Sequence, residues 1–168
     1  NFKAHDVTMV IDTADDFGRY IAYNTWQAKP IVGTEGLAAR GWSEVIERWG
    51  AAQLQSRFEA LSGRSMRADD YAAWAAMRSV GEAVTRTGSA EAATLRSYML
   101  SDQFELAGFK GRALSYRDWN GQLRQPIPLV TDRAMVAIAP LPGFLHQQTE
   151  LDTLGLDRFE SRCQAFQP

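Results

Sequence analysis

Glu35 stands in "VGTEG" at the end of a short apolar run, with Gly33 and Gly36 freeing the backbone on either side. That places a carboxylate on a loop where a strand stops. Asp12, Asp15 and Asp16 follow the run "DVTMVI" in the same way. These four are the acid–base set the chain offers, because α/β sheets gather ligands at strand ends. Each also has a plainer role: Asp15 or Asp16 can cap a helix, and Glu35 can be a solvated turn residue. Arg40 and Trp42 share the loop with Glu35. Trp42 offers a plane that could stack on a flat ligand, and Arg40 a guanidinium that pairs with a carboxylate through two parallel hydrogen bonds. Arg19, Lys110 and Arg112 are the remaining cations able to reach a shared anionic ligand.

Other chemistries find little support. The two histidines, His5 and His146, are far apart and have no cysteine nearby, which argues against zinc. No G-x-S-x-G elbow, phosphate-binding G-x-x-x-x-G-K-[ST] loop or G-x-G-x-x-G fingerprint occurs. Trp49 and Trp74 have the apolar spacing of core residues, and Trp119 sits beside an Asn-Gly turn that it would cover.

The elements that must carry these residues alternate. "DVTMVI" reads as a strand, "DDFGRYIAYNTW" as a short helix, "KPIVGTEG" as a second strand and "GWSEVIERWGAAQLQSRFEALSG" as a helix ending at Gly63. Strand, helix, strand, helix implies parallel pairing in an α/β sheet. From Asp69 to Thr87, Ala73, Met77, Val80 and Val84 recur at helical spacing, and Gly88 stands where a helix should stop. "SAEAATLRSYML" opens another helix, with Leu95, Tyr98 and Met99 inward. After Gly108 the period shortens: Asn120-Gly121 marks a hairpin, and "PIPLVTDRAMVAIAP" two strands turned at Thr131 to Arg133. The tail from Pro140 is weakly periodic and is expected to wrap a surface.

A chain of 168 residues that is 45% hydrophobic can bury one sizeable core. Its net charge of −2 gives no nucleic-acid footprint, and no apolar run is long enough to span a membrane. Asn1 opens the chain and no signal peptide is visible, which predicts a processed or truncated chain. Cys163 is the single cysteine, so it can pair only outside this chain.

In order and spacing, "DVTMVIDTADDFGRY", "VGTEGL", "YAAWAAMRSVGEAVTRTGSAEAATLRSYM" and "FKGRALSYRDWNGQLRQP" resemble the C-terminal half of type 1 periplasmic solute-binding proteins, the leucine/isoleucine/valine-binding group of ABC importers. The resemblance covers about residues 6 to 139. With "NTW", "GFLHQ" and "LDTLGLDRFESRC" it is closer to a branch associated with alcohol oxidation dependent on pyrroloquinoline quinone (PQQ).

The resemblance implies a three-layer Rossmann-like α/β lobe, incomplete without its N-terminal segment, in a non-enzymatic periplasmic protein that serves a membrane permease. Residues 1–64 and 126–139 would form the C-terminal lobe. Residues 65–125 would cross the hinge and pack on the N-terminal lobe, leaving the apolar stripe of the Asp69 to Thr87 helix uncovered, with residues 140–168 a tail. Glu35 would face the interlobe cleft and take a ligand's ammonium group, joined by the cleft residues Thr13 and Asp69; the amino-acid binders carry an aromatic residue at both of those positions, and this chain departs from them there. With Asp15, Arg40 and Trp42 added, the ligand expected is a small molecule, either PQQ or another flat carboxylate, or an amino acid held by Glu35. Two rival classes stand beside it. One is a self-sufficient interaction module with no small ligand. The other is a hydrolase using the acidic cluster, which lacks an obvious nucleophile.

Overall fold

Val7, Met9 and Ile11 alternate with Thr8, Val10 and Asp12, and that alternation makes the first strand. The computed structural model describes residues 3–166 apart from residues 15, 22, 28, 35 and 36. In it β1 (Thr8–Val10) runs parallel to β2 (Ile31–Gly33), Met9 opposite Val32, with the short helix α1 (Gly18–Ile21) between them in sequence. Sequence reasoning gives the capping role to Asp15 or Asp16. Asp15 lies outside the described residues, and among those described Asp12 takes this part, accepting the backbone N–H groups of Phe17 at 2.8 Å and Gly18 at 2.7 Å. These bonds, Gly18 first, hold its carboxyl below the usual range. β2 ends on Gly33 at φ 110°, where a β-carbon would lie 2.0 Å from the Val10 carbonyl oxygen, so glycine is the residue that fits.

Further along the chain come β3 (Ala38–Ala39), α2 (Ala51–Ser62), α3 (Ala68–Thr87), α4 (Ala92–Met99), β4 (Leu106–Ala107), β5 (Ala113–Tyr116), β6 (Leu123–Arg124), β7 (Ile127–Val130) and β8 (Met135–Ala139). The mixture of helices and strands is as expected, but parallel pairing among the described residues is confined to β1 and β2. β4, β5 and β6 form an antiparallel meander, closed at the Asn120-Gly121 hairpin that the sequence predicts. β3, β7 and β8 form a second antiparallel sheet, with the Thr131 turn between β7 and β8.

α2 begins nine residues later than Trp42 would suggest. Trp49 and Gly50 are both left-handed, at φ 55° and 80°, which no continuing helix allows. Trp42 and Ile46 nonetheless enter the core, joined there by Leu54, Met66, Tyr71, Ala75, Phe104, Leu106 and Leu114. The boundary expected after residue 64 runs through this core.

α3 ends at Gly88 as predicted, its C-cap N–H bonded to the Val84 carbonyl. Its buried face is different. Tyr71, Ala75, Ser79 and Ala83 turn inward, while Met77 is 72% exposed and Val80 and Val84 are partly open. Small side chains every fourth residue let neighbouring elements approach closely, and the Tyr116 hydroxyl donates to Ser79 Oγ at 2.9 Å across that contact.

The tail forms one 3-10 turn, Glu150–Thr153, tied to the hairpin by a buried ion cluster. Arg117 Nε lies 2.7 Å and Arg124 Nε 2.8 Å from the same Asp152 oxygen. Nη1 reaches Gln122 and Nη2 the Leu151 and Leu154 carbonyls, so every nitrogen of a guanidinium with almost no solvent contact has an acceptor.

Candidate functional site

Leaving β3, the chain is held at each step. The Arg40 N–H donates to the Pro128 carbonyl of β7 at 3.0 Å. The Gly41 carbonyl accepts from Lys110 Nζ. The Trp42 indole N–H donates to Gln55 Oε1 at 2.9 Å. Opposite this segment lies the Arg64 to Asp69 stretch that leads into α3, with the β7–β8 turn at one end. Between them is a groove of about 750 Å³ whose lining includes Arg40, Trp42, Asp69, Arg67, Glu44 and Asp132.

Three of the six expected site residues, Arg40, Trp42 and Asp69, therefore come together. Thr13 lies exposed on the loop after β1 and does not line the groove. Asp15 and Glu35 lie outside the described residues. The carboxyl ends of β1 and β2 do meet, through the Asp12 N–H bond to Thr34 Oγ1 at 2.8 Å.

Trp42 requires a correction of role. It is 3% exposed, and its ring stacks on Tyr71 with centroids 4.7 Å apart and planes at 11°. The plane expected to receive a flat ligand is covered by protein, because Gln55, Tyr71 and the core offer the indole more burial than an open loop could.

The groove's charges divide into committed and free. Arg64 forks onto Asp70, Nη1 to Oδ2 at 2.6 Å and Nη2 to Oδ1 at 2.8 Å. That pairing, with the Arg67 N–H, holds the Asp70 carboxyl down to about 2. By contrast Arg40, Arg67, Glu44, Asp69 and Asp132 form no ion pair among the described residues. Two guanidiniums and three carboxylates thus face one space and can bind groups of either sign. A nucleophile is poorly served there: the Ser65 hydroxyl donates to Glu59, whose carboxyl the Gln55 amide and Ser65 hold low, leaving it a weak base. Among the described residues no group of three His, Cys, Asp or Glu could hold a metal ion, and no helix is long and apolar enough to cross a membrane.

No protein-family model matches the chain, and neither a curated protein nor a solved structure matches it. The residues themselves carry the functional reading.

Two further hollows exist. One, beside Lys3, His5, Trp26 and Lys29, lies at the amino ends of β1 and β2, away from the expected cleft. The other, about 110 Å³, brings Lys110 beside Trp49 and Arg112. Sequence reasoning gives Lys110 a reach toward an anionic ligand, yet it is 1% exposed, with its Nζ 4.3 Å from the Tyr71 ring centroid. Its burial, and the part played by Tyr71 and Gln55, depend on partners 13 to 69 residues away and have no local signal.

Proposed function

We propose that this chain supplies the C-terminal part of a type 1 periplasmic solute-binding protein, delivering a small charged molecule to the permease of an ABC importer. The observation that carries this reading is the groove in which Arg40 and Arg67 face Glu44, Asp69 and Asp132, none of them committed to an ion pair. Cations and anions presented together suit a ligand that has both a carboxylate and an ammonium group, as an amino acid does. The β1–α1–β2 unit fits a Rossmann-like lobe completed by further protein. Val7, Met9 and Ile11 are more than half exposed along one face of β1, where parallel sheets are ordinarily covered on both faces. The open stripe of Met77, Val80 and Val84 on α3 fits the packing of that helix on an N-terminal lobe.

PQQ is the second ligand reading, favoured by the two free guanidiniums of Arg40 and Arg67 and by the resemblance to the PQQ-associated branch. It must accept three nearby carboxylates, each repelling a bound carboxylate by about 1 kcal/mol or more at an effective dielectric near ~20.

Titration calorimetry on the two-lobed protein decides between them. Binding of L-leucine that disappears in Glu35→Gln or Asp69→Asn supports the zwitterion reading. PQQ binding that weakens in Arg40→Ala supports the second. No heat with either ligand sinks both.

A further inference from the structure

We propose that Lys110 is the positioning residue of the groove, fixing the Arg40–Trp42 segment through the Gly41 carbonyl and the Tyr71 ring. The functional meaning of this role rests on the groove being the ligand site; the role itself rests on geometry. Lysine is almost never fully buried without an ionic partner, yet Lys110 is 1% exposed and forms no ion pair among the described residues. Its ammonium donates to two neutral oxygens, the Gly41 carbonyl and Gln125 Oε1, the latter at 2.5 Å, and sits 4.3 Å from the centroid of the Tyr71 ring. That same ring stacks on Trp42. One cation therefore holds both the residue between Arg40 and Trp42 and the aromatic plate on which Trp42 rests. The segment's other anchors, Pro128 and Gln55, are neutral.

Charge is what makes this hold adjustable. Burial brings Lys110 down to about 7, so amine and ammonium exchange near neutrality. The neutral amine keeps N–H donors but loses its attraction for the ring face and most of its pull on the carbonyl. The groups around it do not compensate. From α3, the Tyr71 hydroxyl is pushed up by burial and donates to the Gly108 carbonyl, so it stays neutral. Arg112, which lines the small cavity with Lys110, is paired to Glu150. Arg40 and Arg124, next in sequence to Gly41 and Gln125, carry guanidiniums and so add like-charge repulsion rather than a counter-charge. Raising the pH through this range loosens the Arg40–Trp42 segment, and lowering it tightens the segment.

The test follows the indole N–H resonance of Trp42 in the intact ¹⁵N-labelled protein, assigned with Trp42→Phe, from about pH 5.5 to about pH 9. The expected result is a single transition with a midpoint near 7, absent in Lys110→Arg, whose charge is permanent, and in Lys110→Met, which covers the case in which the arginine fork does not fit. A flat resonance in the unmodified protein, or the same transition in a variant, overturns the proposal. L-leucine and PQQ are then titrated at both ends of the range. The expected affinity loss on raising the pH is about five-fold in the unmodified protein and less than about two-fold in Lys110→Arg. If Trp42 titrates as described but neither probe binds at either pH, Lys110 keeps its positioning role and the groove loses its assignment as the ligand site.

Discussion

Trp42 and Tyr71 lie face to face, their ring centroids 4.7 Å apart, and the indole N–H that would otherwise be stranded by this burial is taken by Gln55 at 2.9 Å. The stack joins the loop after β3 to α3, so it is a contact between distant parts of the chain. Trp42→Ala should cost about 3–5 kcal/mol of unfolding free energy in urea titration, the range for deleting a large buried aromatic. Trp42→Phe should cost less, although it strands the Gln55 side chain. A Trp42→Ala protein of unchanged stability that has lost only ligand affinity would return Trp42 to a direct stacking role.

The Arg117–Asp152 pair makes an asymmetric prediction. Burial alone would raise the Asp152 carboxyl, and the Arg124 and Arg117 guanidiniums outweigh that and hold it low. Asp152→Ala leaves Arg117 buried with no counter-charge and should destabilise by about 3–5 kcal/mol. Arg117→Met leaves Asp152 its bond to Arg124 and should cost clearly less. Equal losses in denaturant titrations of the two variants would contradict the pairing.

Gly33→Ala tests the β1–β2 junction. The added methyl must avoid the Val10 carbonyl oxygen, 2.0 Å from its ideal position, and a backbone at φ 110° that L-residues rarely adopt. Amide exchange at Val10 and Thr34 should accelerate selectively, while the α3 amides stay protected. Uniform change across both regions would show that the parallel pair is not a separate unit.

Two titrations make stability rise with pH, in separate windows. Asp70 is held by the Arg64 guanidinium down to about 2, below the ordinary carboxylate value of 3.8. Its contribution is present above the unfolded value and is lost as the pH falls through the folded one, so Asp70→Asn should flatten the acid limb of the stability curve. Lys110 is depressed from 10.5 to about 7. Between those values the unfolded chain binds the proton and the folded chain does not, so stability should rise with pH across that window by a few kcal/mol. In Lys110→Met this rise should vanish, as read from urea midpoints at intervals across the window.

What the sequence made legible was local. The Asn120-Gly121 hairpin, the Gly88 stop of α3 and the paired strands β7 and β8 each depend on neighbours within a few residues. The face of α3 was not legible, because Val80 and Val84 suit a core while Ala75, Ser79 and Ala83 are chosen by the closeness of the elements they meet. Trp42 misleads for a related reason: a tryptophan after Gly41 reads as open until Gln55 and Tyr71, far along the chain, are folded against it. The start of α2 was missed because nothing in its apolar spacing reports the left-handed turn at Trp49 and Gly50. Of the groove, Arg40 and Asp69 were visible by residue type and loop position, whereas Arg67, Glu44 and Asp132 read as ordinary solvated charges.

The buried cluster at Asp152 also imposes an order on synthesis. A nascent chain that has left the ribosome only as far as residue 140 holds the β5–β6 hairpin complete in sequence, yet Arg117 and Arg124 have no Asp152 and Arg117 has no Leu151 or Leu154 carbonyl to bond. A guanidinium cannot settle into an apolar interior in that condition, so the hairpin must keep Arg117 in water until the tail emerges. Packing of the Arg117 side chain into the interior is therefore expected only once residue 154 has been made, while the β5–β6 hairpin, whose backbone bonds are its own, can form before that.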